Sequence, residues 1–348
     1  MPLDPPRDPL YYPARRHLLF SNDSSIAHLQ RRLRVGHQHA IALREALRGD
    51  AVEYRAETDS WQIHPQADRH TDFLLEEKLA QAARLIQHAT ALVIVAGAGM
   101  GIDSGLPDLQ DNNGFWQAYP ALGKQRRQLE SIASPQALKQ RPATAWGFYG
   151  HRLNLYRATT PHAGFGLLQR WGQRMPQGCF VFTNNVDGQF QKAGFPSARI
   201  YECHGSIHRL QCTAHCSGEL WPTAGLRPQV DEAAVQLQSE LPRCPRCGAL
   251  ARPNILMFDD WHWNQARSDR QRALLDRWLD KTPAPLVLEI GARCAIASLR
   301  HFTKRMQQRG SPLIRITLHE ANIHNPDDIE ITLGAKDTLE GIQLHLNG

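Results

Sequence analysis

The chain has 348 residues, 42% hydrophobic and 21% charged, enough apolar material for a sizeable core and too much for wholesale disorder. At roughly 100–200 residues per domain, two domains are expected. Forty basic against 34 acidic residues leave a net charge of +6, with no run of five like charges, so anionic ligands are admissible but nucleic acid is not implied. The longest apolar stretch, Ala91 to Ile102, is interrupted by three glycines and is too short for a membrane span. The first residues are prolines with Asp4 and Asp8 rather than a basic segment followed by an apolar one, so the expectation is a soluble, cytoplasmic protein without an export signal. Seven cysteines, an odd number, then point to reduced thiols or metal rather than a disulfide framework.

Residues 1–72 form a compositional block of their own, read as an N-terminal extension of unknown role. It starts Pro-rich, continues through a helix-compatible stretch dotted with Arg and His (Ile26 to Leu47), and ends in the polar Tyr54–Ile63. Leu75, Leu79, Ala82 and Ile86 then recur at helical spacing. The apolar run Ala91–Ala96 ends in glycines, as a buried parallel strand does, and similar runs follow at Cys179–Thr183, Arg199–Cys203, Leu286–Ile290, Leu313–Leu318 and Ile329–Leu333. Helical patterns at Ala273–Leu279 and Ser298–Gln308 lie among them. Strands alternating with helices imply an α/β fold, a doubly wound, Rossmann-like parallel sheet whose ligands bind beyond the carboxyl ends of the strands. Two insertions are expected in it, one helical and aromatic-rich (121–175) and one holding the cysteines (207–253). The sheet domain is thereby divided into 73–120, 176–206 and 254–348.

Gly97-Ala98-Gly99 follows the first strand, where backbone N–H groups approach a phosphate without a Cβ in the way. A dinucleotide fingerprint needs G-x-G-x-x-G, and the third glycine here, Gly101, comes one position early. Ser104-Gly105-Leu106-Pro107-Asp108 and Asp111-Asn112-Asn113-Gly114 are turn chemistry, so a loop long enough to cover a cofactor is expected in place of a continuing helix. Ser104 lacks the G-x-S-x-G elbow of a serine hydrolase.

Cys212-x3-Cys216 and Cys244-x2-Cys247 are spaced to supply four thiolates to tetrahedral zinc, with Gly248 freeing the second turn and His215 a candidate replacement ligand. Four protein ligands would close the site and make it structural. Cys179, Cys203 and Cys294 are read as apolar core thiols. At two other strand ends stand Thr183-Asn184-Asn185-Val186-Asp187-Gly188, with amides and a carboxylate able to hold sugar hydroxyls or a carboxamide, and Glu202-Cys203-His204-Gly205-Ser206, where His204 is a candidate general base.

In this order the segments resemble the sirtuin (Sir2) family of NAD-dependent protein deacylases. Gly97–Gln110 is similar to the family's G-A-G-x-S-x-x-S-G-I-P-D-F-R, Asn184–Gly188 to Q-N-I-D-G, and His204-Gly205-Ser206 to H-G-S. Arg252–Phe258 resembles R-P-x-V-V-x-F, and Glu289-Ile290-Gly291 the later glycine turn on the adenosine side. The resemblance spans about residues 75–345. It implies NAD as co-substrate, an acyl-lysine protein or peptide as partner, and one structural zinc on Cys212, Cys216, Cys244 and Cys247. By the same resemblance His204 is the base, Asn185 positions ribose or the attacked water, and Asp187 holds the carboxamide. The cofactor contacts it implies are Gly97, Ala98, Gly99, Ser104, Gly105, Pro107, Asp108, Asn185, Asp187 and Gly291. The products would be lysine, nicotinamide and O-acyl-ADP-ribose.

Several positions depart from the pattern. Leu109-Gln110 replaces Phe-Arg, Asn184 replaces Gln, Asp259-Asp260 replaces Gly-Glu, and Gly291-Ala292-Arg293 replaces G-T-S. The side chain of Asp259 is expected to crowd a peptide added as a strand. Thr317–Glu320 gives no clear match to the family's adenosine contact. An NAD glycohydrolase or ADP-ribosyltransferase, and a non-catalytic NAD or ADP-ribose sensor, are the alternatives these departures raise.

Overall fold

A computed structural model describes residues 10–65, 69–108, 112–124, 128–292, 297–318 and 328–347. Leu109, Gln110, Asp111, Arg293, Cys294, His319 and Glu320 lie outside these ranges. The chain forms two compact units, Met1–Gln87 with Asp337–Gly348, and His88–Lys336.

The first unit holds α1 (Tyr11–Ser21), α2 (Ile26–Leu33) and α3 (His37–Ala46), then a hairpin of β1 (Val52–Arg55) and β2 (Ser60–Ile63), and α4 (Arg69–His88). Leu18, Leu29, Leu33, Leu43, Leu47 and Val52 make its core. The Ser25 hydroxyl caps α2 by accepting from the His28 N–H (3.2 Å). Arg44 lies 4.6 Å over the Trp61 ring of the hairpin, and the Ser24 hydroxyl donates to the Trp61 carbonyl (2.7 Å). The expected helical stretch Ile26–Leu47 is therefore two helices, broken at Arg34-Val35-Gly36, and the polar Tyr54–Ile63 is part of a hairpin. This unit also takes in the helix predicted around Leu75–Ile86.

The second unit begins with β3 (Leu92–Ala96), followed by a short α5 (Gly99–Ile102). Helices α6 (Asn112–Ala118), α7 (Pro120–Lys124), α8 (Leu129–Ile132), α9 (Pro135–Gln140), α10 (Pro142–Ala158) and α11 (Ala163–Arg174) lead to β4 (Cys179–Thr183). After α12 (Gln189–Lys192) come β5 (Ile200–Glu202), β6 (Gly205–Cys212), the two-residue strands β7 (Trp221–Pro222), β8 (Val230–Asp231) and β9 (Gln236–Leu237), and β10 (Ala251–Ile255). The chain closes with α13 (Ala266–Asp280), β11 (Leu286–Ile290), α14 (Ala297–Gln308), β12 (Leu313–Ile316), β13 (Ile329–Ile331) and α15 (Ala335–Leu346).

Six strands pair in parallel in the order β13-β12-β11-β3-β4-β5. They are the six apolar runs picked out in the sequence, trimmed by a residue or two. β3 and β11 are buried at every position, as a parallel sheet covered on both faces requires. On one face Val93, Val95, Phe180 and Phe182 pack against Leu275, Trp278 and Leu279 of α13 and Phe302 and Met306 of α14. On the opposite face Gly172 of α11 sits against Cys179, where a Cβ would come 2.4 Å from the sulfur. α11 is thus a crossover helix of the sheet, not part of the helical insertion.

The two insertions share one core, in which Phe115, Trp146, Phe148 and Tyr149 pack with Ile207, Leu210, Val235 and Ala251. Trp146 donates its indole N–H to the Ala251 carbonyl (2.9 Å), and Gly147 lets α10 approach the Val235 backbone, 2.4 Å from where a Cβ would stand. The helical and cysteine-bearing segments are one lobe.

Candidate active site and metal centre

β11, β3, β4 and β5 are neighbours in the sheet, so the turns after their carboxyl ends stand in a row. Those turns carry Gly291, Gly97–Gly99, Asn184–Asp187 and His204. The glycines at the first two are required by each other. A Cβ on Gly97 would lie 2.5 Å from the Gly291 oxygen, and one on Gly99 2.5 Å from the Gly291 Cα. Gly291 itself has φ +60, and a Cβ on it would lie 2.3 Å from the Gly99 Cα. The Gly97 N–H donates to the Ile290 carbonyl (2.9 Å) and the Gly99 N–H to the Gly291 carbonyl (3.3 Å). Gly99, Asp108 and Gly291 line a cavity of about 50 Å³ together with Ile102, Leu318 and Gly334.

Asn185 is held from two sides. Its backbone N–H donates to the Thr183 hydroxyl (3.0 Å), and its side-chain amide to the Gly97 carbonyl (2.9 Å). Thr183 in turn donates to the Ala96 carbonyl (2.7 Å). Asn184 is buried, and its side-chain oxygen has no hydrogen-bond partner among the described residues. The buried Asp187 carboxylate accepts from the Gln189 N–H (2.8 Å). Burial, with some repulsion from Glu202, pushes its pKa up to about 6. Its carbonyl accepts from Nε2 of His208 (2.8 Å), which fixes the proton of that neutral ring.

His204 sits in the turn between β5 and β6 and is gripped through its backbone. Glu202, just before it, pairs with Arg267, and its main chain bonds Ser268 (2.9 Å) and Gln271 (3.1 Å), all three on α13. The His204 carbonyl accepts from the Leu256 N–H (2.9 Å). Gly205 has φ +82 and a Cβ there would meet the Asn254 oxygen at 2.1 Å, so only glycine fits after the histidine. Burial holds the imidazole pKa below its ordinary value, which leaves a neutral ring able to accept a proton at pH 7.

The remaining predicted contacts are less central. Ser104 accepts from the His162 N–H (3.0 Å) and so anchors the start of α11. Gly105 has φ +86, as a tight turn demands. Asn112-Asn113-Gly114, read as a turn, opens α6 instead. Cys179 and Cys203 are only partly buried, and burial pushes their thiols up to about 11 and about 12, so both stay protonated.

Three groups escaped the sequence reading. His162 accepts from the Gly164 N–H at Nδ1 and so donates from Nε2 to the Met100 carbonyl (3.0 Å), tying α11 to the glycine turn. Asp260 pairs with buried Arg252 and accepts from the His262 and Met257 N–H groups (both 3.2 Å). It braces a loop that exposes Leu256, Phe258 and Trp261, the last 91% exposed. Asp259 takes φ +52, the left-handed conformation that aspartate tolerates, with its side chain exposed. Arg152 of α10 donates from Nε (2.8 Å) and Nη2 (2.6 Å) to the Tyr156 hydroxyl and lies 5.2 Å over the Phe148 ring. It has no carboxylate partner at ion-pair distance among the described residues, though its charge is felt at Asp187. A lone arginine in an aromatic helix carries no signal in sequence.

Cys212 ends β6, and Cys244 and Cys247 precede β10, whose Ala251 pairs with Cys212. The four sulfurs lie within 4.8 Å of one another, with Cys212–Cys247 and Cys216–Cys244 both at 3.6 Å. A tetrahedron with Zn–S bonds of about 2.3 Å has edges of about 3.8 Å, so the donor set fits zinc and leaves no open position. Gly248, at φ +73, makes the turn of the second pair. His215 instead faces the His262 ring at 5.0 Å. Among the described residues no helix is long and apolar enough to cross a membrane.

The Sir2 family profile matches residues 97–273. An NAD-dependent protein deacylase of Pyrococcus furiosus is 30% identical over 248 residues, 70% of this chain and 88% of the relative. A solved Sir2 homologue–NAD complex superposes with a TM-score of 0.59 at 22% identity, covering 80% of this chain and 94% of that one. A Sir2 protein bound to a propionylated peptide gives 0.58 at 18% identity, covering 76% and 97%. At these identities the two structures speak for the fold.

Proposed function

This chain belongs to the Sir2 family, and on that premise we propose that it is an NAD-dependent protein-lysine deacylase with His204 as general base. The observation that carries the reading is the row of strand ends, in which the glycine turn, Asn185 and the neutral His204 follow adjacent strands. NAD suits the turns after β3 and β11. These turns pack glycine on glycine beside the cavity lined by Gly99, Asp108 and Gly291, and the buried oxygen of Asn184 has no hydrogen-bond partner among the described residues. When bound, NAD supplies an electrophilic ribose carbon with nicotinamide as leaving group. Gly97, Ala98, Gly99 and Gly291 border the phosphates, and Asp108 lines the adjoining cavity. Asp187 holds the carboxamide and Asn185, fixed to the Gly97 carbonyl, orients the ribose. His204 takes the proton from a ribose hydroxyl at an imidazole nitrogen. Its lowered pKa keeps it a competent base below pH 6.5, and activity falls at acid pH as His204 and Asp187 take up protons.

The exposed Leu256 and Phe258 after β10 provide an apolar border for an acyl-lysine peptide. Arg152, which among the described residues has the Tyr156 hydroxyl and aromatic rings beside it but no carboxylate, favours acyl chains that end in a carboxylate. Incubation with NAD and peptides carrying acetyl- or succinyl-lysine should release nicotinamide in step with deacylated lysine, faster for the succinyl peptide. His204→Ala should lower the rate roughly 10²–10⁴-fold. Nicotinamide release independent of peptide would mark a glycohydrolase and sink the proposal, as would full activity in the variant.

A further inference from the structure

In the N-terminal unit, α2 and α3 are joined by only three residues, Arg34-Val35-Gly36. Arg34 ends α2 in the left-handed conformation (φ 54), and Gly36 starts α3 without any side-chain cap. Leu29, Leu33, Ala40 and Leu43 turn into the unit's core, which leaves the other side of both helices facing out. Arg31, Arg32, Arg34, His37, Gln38 and His39 are all exposed there. From Ser24 to Arg44 the chain holds four arginines and three histidines and neither Asp nor Glu. None of Arg31, Arg32 and Arg34 is ion-paired among the described residues, and no large hydrophobic side chain in this stretch is exposed.

We propose that this surface binds duplex DNA, with the first turn of α3 in the major groove and the arginines on the flanking phosphates. Two helices joined by a three-residue, glycine-containing turn are the arrangement that offers the start of a second helix to the groove. The uncapped N–H groups of α3 and the cations beside them suit phosphate oxygens. Gln38, with His37 and His39, brings hydrogen-bonding groups to base edges. An anionic membrane is the weaker match, because the surface has no apolar anchor. Duplex RNA is weaker too, since the A-form major groove is too narrow to read.

The test uses the full chain and a fluorescent random-sequence DNA duplex of roughly 20–30 base pairs, read by anisotropy between about 50 and 200 mM salt. Binding should weaken linearly in log–log form as salt rises. The triple variant Arg31→Ser, Arg32→Ser, Arg34→Asn should bind roughly tenfold or more weakly. It should also flatten the salt slope by about 3, one unit for each phosphate that no longer has an arginine against it. Asparagine keeps the left-handed position available at residue 34, and unchanged circular dichroism and thermal midpoint verify that the variant is folded. Any of three results overturns the proposal: no binding at the lowest salt, equal affinity in the variant, or equal or tighter binding to duplex RNA or to anionic phospholipid vesicles.

Discussion

In the helical and zinc-binding lobe, the polar groups that hold the loop after β10, the β10 backbone and the cysteine turns find partners within the protein. Arg252 is clasped by Asp260, the indole of Trp146 by the Ala251 carbonyl, and the four cysteine sulfurs by one another's geometry. At the carboxyl edge of the sheet the pattern reverses. Asp187 is buried with a raised pKa, the Asn184 oxygen has no partner among the described residues, and His204 is gripped through its backbone. On the proposed function, polar groups of the lobe maintain the fold and those of the sheet edge serve the ligand. Substitutions in the two regions should therefore act on different quantities, stability in the first and turnover in the second.

The largest expected effect is at the metal. Purified protein should carry about one zinc per chain, and Cys244→Ser should lose it together with cooperative folding of the lobe, because a structural zinc is worth on the order of 10 kcal/mol. Soluble, metal-free protein with an unchanged thermal midpoint would break the comparison. Next is Asp260→Ala, which strands the buried Arg252 and should cost about 3–5 kcal/mol in denaturant unfolding. A loss near zero would mean that the loop carrying Phe258 is not braced by this pair.

Asp187→Asn should move the other way. Its folded pKa of about 6 lies above the ordinary 3.8, so its favourable contribution is complete below pH 3.8 and is lost as pH rises through 6. At pH 7.5 the buried carboxylate is a liability, and the amide should raise stability by about 1–2 kcal/mol while turnover falls. Near pH 4 the difference should vanish. Destabilisation at pH 7.5 would place Asp187 with the fold-holding groups of the lobe. His204→Ala, at the small end, should change stability by no more than about 0.5 kcal/mol despite its kinetic cost.

The sheet was legible because β-branched runs such as Leu92–Ala96 and Leu286–Ile290 end in glycine and are buried on both faces, so local pattern and tertiary role agree. The cysteine spacing was legible for a similar reason, since four thiols in two close pairs have few other uses. Asn112–Gly114 misled, because turn-forming residues were drawn into a helix whose Phe115 packs in the lobe core. The strands β7 to β9 are two residues long and exist only through their tertiary partners, so no period announces them. Glu202, His162 and Arg152 were silent for the same reason. His162 acts on Met100, 62 positions away, and Glu202 on Gln271, 69 away, pairings that are not written locally, while Arg152 stands out only once no carboxylate among the described residues is seen to fold beside it.

Both outer stretches of the chain, Met1–Gln87 and Asp337–Gly348, belong to one compact unit. Leu344 packs on its core, and His345 lies 2.9 Å from Glu76 of α4. During synthesis the second unit, residues 88–336, is therefore an uninterrupted stretch able to fold while the first still lacks its closing segment. The ribosome delivers the N-terminal helices first and the sheet and its lobe after them, and those helices receive the contacts of Leu344 and His345 only when these residues emerge in turn.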